Sequence, residues 1–86
     1  MSWFVYLLEC TDGSIYTGIA RDVEKRFIAH QQGKGARYTR SHPPLRVLAS
    51  ESWPDRGAAL RAEWRLKQLT PQAKRAYAAS LARADA

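Results

Sequence analysis

Residues 3 to 10 (WFVYLLEC) are apolar at every position but Glu9 and rich in aromatic and β-branched side chains. Such a run predicts a strand covered on both faces, and so a central one in its sheet. Thr11-Asp12-Gly13 is a turn signal, and residues 14 to 19 (SIYTGI) return as a second strand, giving a hairpin. The loop length then decides where the side chains point. A two-residue Asp12-Gly13 loop would set Tyr6 opposite Ile19 and, through the strict alternation of a strand, turn Tyr16 to the other face. A three-residue loop closing Cys10 on Ser14, with Gly13 left-handed in a bulged turn, sets Tyr6 opposite Gly18 and Tyr16 opposite Leu8. Both phenols then share one face as diagonal neighbours, and Gly18 leaves room beside Tyr6 for a ligand. The three-residue loop is the expectation.

The period next becomes helical. Asp22 is an N-cap candidate and Glu24 suits the positive helix end, so Val23 to about Gln32 should be a helix stopped by Gly33-Lys34-Gly35. Val23, Phe27 and His30 form its inward stripe, and Arg26 and His30, four residues apart, lie on one edge of it where they can act as a pair. Gly33 to Arg40 (GKGARYTR) reads as a loop whose glycines and three positive charges let the backbone approach phosphates while Tyr38 offers a stacking face. Lys34, Arg37, Tyr38 and Arg40 are therefore candidate nucleic-acid contacts.

Pro43-Pro44 bars a helix and leads into Leu45 to Glu51 (LRVLASE), a third and more exposed strand. Asp55 or Ser52 can cap a helix running to about Leu69, with Leu60, Trp64 and Leu66 buried and Glu63 beside them. Thr70-Pro71 reads as a cap followed by proline at the first helical position, opening a last Ala-rich helix to about residue 82, with the tail Ala82 to Ala86 fraying. The expected fold is α+β in the order β-β-α-β-α-α, a small three-stranded antiparallel sheet flanked by helices. One domain over residues 1 to 86, with its core at about 3 to 69, accounts for the 86 residues and their 45% apolar content.

Charge narrows the partners. Fourteen basic residues, ten of them arginine, stand against eight acidic ones for a formal charge of +6, a balance that favours a polyanion. No apolar segment approaches the roughly 20 residues of a spanning helix, and the N-terminus lacks the layout of a signal peptide, so a cytoplasmic protein without a membrane partner is expected. Cys10 is the one cysteine, which leaves no intrachain disulfide and no cysteine zinc site; at a strand end it reads as a packing residue.

In this order, Val5-Tyr6-Leu7, Tyr16-Thr17-Gly18, Arg26, His30 and Glu63 resemble the GIY-YIG nuclease domain family over about residues 3 to 69. The small, undecorated form, with its Gly33 to Ala36 loop, is most similar to the stand-alone bacterial members. Val5 replaces a glycine and Thr17 an isoleucine of the family pattern. The polar residue, often asparagine, that many members place after the glutamate helix has no counterpart, because the chain contains no asparagine. The resemblance implies hydrolysis of a phosphodiester at a single divalent metal, Mg²⁺ or Mn²⁺, with DNA as the partner, RNA left open, and a monomer or weak homodimer as the assembly.

Residue by residue, the resemblance makes Glu63 the ligand of a hard cation that keeps most of its waters. Tyr6 or Tyr16 would orient and deprotonate the attacking water, Arg26 would hold the scissile phosphate in a bidentate fork, and His30 would relay a proton or hold a tyrosine. Each assignment has a plainer rival. The tyrosines could be amphipathic strand residues with wet hydroxyls, His30 a satisfied helix residue, Arg26 the partner of Asp22, and Glu63 the partner of Lys67. Two function classes follow: a metal-dependent endonuclease, structure-selective in one form, or a nucleic-acid-binding module with the same fold and little cleavage.

Overall fold

A computed structural model describes the backbone of residues 2–84 and the side chains of residues 2–82. Three antiparallel strands, β1 (Trp3–Cys10), β2 (Ile15–Ala20) and β3 (Pro44–Trp53), form a sheet in the order β2-β1-β3. The long apolar strand is central, as its sequence requires, because both of its faces are covered. Tyr6 and Leu8 pack with Ala20, Val23, Phe27 and Val47 on one face. Val5 and Leu7 pack on the other, against Ala59, Ala62 and Leu66 in one cluster and Ile15 and Ala78 in the next.

The hairpin closes through three residues. Cys10 N–H donates to Ser14 O at 2.9 Å, Gly13 N–H donates to Cys10 O at 3.0 Å, and Gly13 takes φ 85°, a conformation that favours glycine. The resulting register pairs Tyr6 with Gly18 and Leu8 with Tyr16. β3 extends beyond the expected 45 to 51, pairs with β1 throughout, and shifts register near Leu7/Leu8 and Glu9/Cys10. As an edge strand it is mostly half-exposed, in keeping with its alternating sequence.

Among the described residues four helices surround the sheet. α1 (Val23–Gln31) begins at Asp22, whose carboxylate accepts from Lys25 N–H at 3.0 Å, and it closes through Lys34 N–H to Ala29 O at 2.9 Å with Gly33 at φ 74°. The segment read as a loop contains α2 (Arg37–Ser41), a single helical turn whose five residues are too few to show a period. α3 (Arg56–Lys67) is capped by Asp55, and α4 (Pro71–Ala84) by Thr70 with proline first.

The stripe expected on α3 needs correction. Ala58, Ala59, Ala62 and Leu66 are buried, whereas Leu60 is only half-buried and Trp64 is 66% exposed. Alanines at this face let the helix approach the sheet closely, and Trp64 lies on the other side of the helical wheel from Ala59, Ala62 and Leu66. α4 is tied to the hairpin by Arg75, which donates to Glu9 at 2.6 Å and to Gly13 O at 2.9 Å, and Arg46 meets the same carboxylate at 2.8 Å. Of the tail expected to fray, Ala82 to Ala84 are helical, and residues 85 and 86 lie outside the described region.

Candidate active site

The hairpin register carries both phenols to the α1 face. Tyr6 and Tyr16 have ring centroids 6.3 Å apart, and the His30 ring lies 6.0 Å from Tyr6 and 5.1 Å from Tyr16. Position 18 belongs to this cluster in a way the expectation missed. The space over Gly18 is filled by the chain's own phenols rather than left for a ligand: a Cβ there would lie 2.5 Å from Tyr6 Oη and 3.0 Å from Tyr16 Cε2.

Tyr6 is 1% exposed, so its hydroxyl needs a protein partner, and His30, also 1% exposed, supplies one: Oη and Nε2 are 2.8 Å apart. His30 Nδ1 lies 2.8 Å from Thr39 Oγ1, and Thr39 donates its own proton to Ala36 O at 2.8 Å. Ala36 N–H also donates to Nδ1, at 3.2 Å, so this nitrogen is held between the Thr39 hydroxyl and the Ala36 amide while Nε2 meets the Tyr6 hydroxyl. Burial, then the nearby Arg26 cation, hold His30 below the ordinary 6.5 of an imidazole. It is therefore a neutral ring with both nitrogens engaged.

Burial is also the main reason Tyr6 is pushed up to about 12; Tyr16 and Glu63 add to the rise, and Arg26 lies close enough to oppose it. Tyr16 is raised as well, by burial and then by Glu63. All five residues of the series thus bear on one another, although they differ in access to solvent. Tyr6 and His30 are closed in, Tyr16 and Glu63 are half-buried, and Arg26 is exposed.

Two plainer rivals fare differently. Asp22 spends its carboxylate on the α1 cap, and among the described residues no ion pair joins it to Arg26. Glu63 does meet Lys67, at 3.5 Å. Among the described residues no three His, Cys, Asp or Glu side chains converge on a metal position. The donor set is one carboxylate beside phenols, which suits a hard cation that retains its waters and excludes a zinc-type cage.

Around α2, Lys34, Arg37, Tyr38 and Arg40 are all exposed, the first of them on the glycine turn and the others on the short helix. Tyr38 stacks on His42, with centroids 4.0 Å apart and planes 9° apart, and faces Tyr16 at 5.9 Å. Thr39 and Gly35 are the contributors the sequence did not disclose. A Cβ at Gly35 would overlap the His30 ring, so the glycine there is a matter of space. A threonine within GKGARYTR carries no spacing signal; only the need of a buried imidazole for a second partner would point to it.

A small three-stranded α+β fold with paired tyrosines backed by arginine and histidine on the first helix, and a glutamate on a later one, defines a nuclease-type domain. The GIY-YIG catalytic domain matches residues 2–77, and the chain belongs to that family. It is 54% identical over 79 residues to a UPF0213 protein of Cupriavidus pinatubonensis, covering 92% of this chain and 88% of that one. A UPF0213 protein of Xanthomonas campestris is 59% identical over 73 residues, covering 85% and 71% respectively. Among solved structures, the UPF0213 protein BH0048 of Bacillus halodurans shares 42% identity with a TM-score of 0.56, covering 92% of this chain and 84% of that one. Membership implies a nucleic-acid substrate and a nuclease lineage. No helix among the described residues is long and apolar enough to cross a membrane.

Proposed function

We propose that this protein is a divalent-metal-dependent endonuclease that hydrolyses phosphodiesters in DNA. The observation that carries the reading is the mutual influence of Tyr6, Tyr16, Arg26, His30 and Glu63 within one cluster, where burial sets one phenol on a neutral imidazole and leaves the other facing solvent. Tyr16, the more accessible phenol, orients the attacking water. Tyr6 stands behind it as a positioning residue, its hydroxyl held by His30 Nε2 at 2.8 Å. Arg26, exposed and permanently charged, holds the scissile phosphate and meets the negative charge that grows in the transition state.

Glu63 would hold Mg²⁺ or Mn²⁺, and when bound the ion supplies Lewis acidity to a phosphate oxygen and a water. Lys34, Arg37, Tyr38 and Arg40 form the approach surface for the nucleic-acid backbone. The alternative is a nucleic-acid-binding module without cleavage, and the Glu63–Lys67 pair supports it because it gives the carboxylate a use that needs no metal. Incubation with supercoiled, branched and single-stranded DNA and with RNA, in Mg²⁺, Mn²⁺ or EDTA, decides between them. Cleavage that EDTA abolishes is the expected result; tight binding with intact substrate in every metal overturns the enzyme reading.

A further inference from the structure

α2 is a single turn with two faces. Arg37, Tyr38 and Arg40 are exposed, and Thr39 between them is 1% exposed. Thr39 is the one side chain of α2 that makes a hydrogen bond among the described residues. A helix this short holds its shape poorly alone, so what it docks on fixes where it lies. Its support is the catalytic cluster.

Thr39 Oγ1 stands 2.8 Å from His30 Nδ1 and donates to Ala36 O, also at 2.8 Å, while Ala36 N–H donates to the same Nδ1 at 3.2 Å. His30, Ala36 and Thr39 thus close a small ring of hydrogen bonds. Gly35 makes room for it, since a Cβ there would overlap the imidazole. On its other nitrogen the imidazole meets Tyr6 Oη at 2.8 Å. One unbroken chain of side chains therefore runs from α2 through His30 to Tyr6, and each of the three is 1% exposed. A close-packed, hydrogen-bonded chain is stiff, and a shift at one end is felt at the other. α2 leans on the second phenol too, because Tyr38 faces Tyr16 with centroids 5.9 Å apart.

We propose that Thr39 is a positioning residue: its hydroxyl sets the His30 ring for Tyr6, and through it nucleic acid seated on Arg37 and Arg40 orders the Tyr6–His30 pair. The inference rests on the nuclease reading and deepens it, adding a means by which substrate docking completes the site. An imidazole held at both nitrogens has one orientation. Freed at Nδ1 it can turn or slip, and a misplacement of about 1 Å costs on the order of 100-fold in rate. Valine at position 39 keeps the volume and removes the hydrogen bonds, whereas serine keeps the hydroxyl and removes a methyl group.

The test joins kinetics to spectroscopy on the full chain. In Thr39→Val, kcat on supercoiled DNA with Mg²⁺ should fall about 10–100-fold while KM stays within about twofold, because the exposed contacts of α2 are untouched; Thr39→Ser should recover most of the rate. The second readout needs no cleavage. Ring ¹⁵N and ¹³C signals of His30, followed by NMR in EDTA, should move when a short DNA duplex is added to the unaltered protein. That movement should be lost in Thr39→Val and kept in Thr39→Ser. Full cleavage by Thr39→Val, or a Thr39→Ser protein as slow as Thr39→Val, overturns the assignment, and so does a His30 ring that ignores DNA bound to the unaltered protein. Should Thr39→Val fail to fold, Thr39→Ser and the titration of the unaltered protein still decide. The nuclease reading stands or falls separately: if no DNA or RNA is cleaved in any metal that reading fails, while the titration in EDTA still tests the link from α2 to His30.

Discussion

Replacing Gly18 by alanine tests whether the two phenols are held in place by the backbone beneath them. The added Cβ would stand 2.5 Å from Tyr6 Oη, 2.7 Å from Tyr6 Cζ and 3.0 Å from Tyr16 Cε2, so the Tyr6 ring must withdraw by roughly 1 Å and the Tyr16 ring by roughly half that to reach ordinary packing distance. Tyr6 has nowhere to go. It is 1% exposed, and its hydroxyl is 2.8 Å from His30, which is itself fixed through Thr39 at 2.8 Å. Overpacking of this kind costs about 1–3 kcal/mol, and at about 4–8 °C per kcal/mol for a domain of this size the melting temperature should fall by roughly 5–20 °C. A displacement of about 1 Å at reacting groups costs on the order of 100-fold in rate. Gly13→Ala provides the control. Its Cβ meets nothing within 4 Å, but its φ of 85° is strained for alanine, so it should lose stability by about 1–2 kcal/mol without touching the site. Circular-dichroism melts and metal-dependent cleavage, measured on both proteins below their transitions, separate the two effects. A folded Gly18→Ala protein that cleaves as fast as Gly13→Ala would refute the idea that this glycine sets the phenols.

Four further outcomes follow from the same geometry. Glu63→Gln should abolish metal-stimulated cleavage while keeping DNA affinity in a filter-binding assay, and loss of the part-exposed Lys67 pair should cost only about 0.3–0.5 kcal/mol; full activity would exclude Glu63 as the metal ligand. Neutralising Lys34, Arg37 and Arg40 should weaken DNA binding at every sequence and lower the log-log salt slope by about 0.9 for each phosphate no longer neutralised; an unchanged slope would place the binding surface elsewhere. The rate of cleavage should rise with pH across the neutral range, because both phenols lie above the free value of 10.0, Tyr6 at about 12, so the phenolate fraction grows with each unit; a profile that is flat from pH 6.5 to 9 argues against a phenolate base. Stability should fall as pH drops below 6.5, since the unfolded imidazole of His30 takes up a proton that the folded one resists, and His30→Gln should remove that part of the dependence in urea melts.

The parts of this molecule that could be read from sequence are those where local rules left only one or two solutions to weigh. Asp12-Gly13 allowed a two- or a three-residue loop, and of the two only the three-residue loop, with Gly13 left-handed, sets Tyr6 against Gly18 and Tyr16 against Leu8. The caps Asp22, Asp55 and Thr70 were legible for the same reason, because an orphan N–H group at a helix start needs a short polar side chain close by in sequence. What escaped depends on the meeting of distant segments. Trp64 has the size of a core residue, yet the tight seat of α3 against Val5 selects the small face of Ala59 and Ala62, and a close approach is encoded by what is absent from a position rather than by what stands there. Thr39 and Gly35 follow the same logic. One supplies a partner to a ring nine residues earlier, and the other makes way for it, so neither has meaning until His30 is known to be buried. Gly18 is the same case: it leaves space beside Tyr6, but an empty Cβ position in a close-packed interior is occupied by the nearest ring before any ligand can use it.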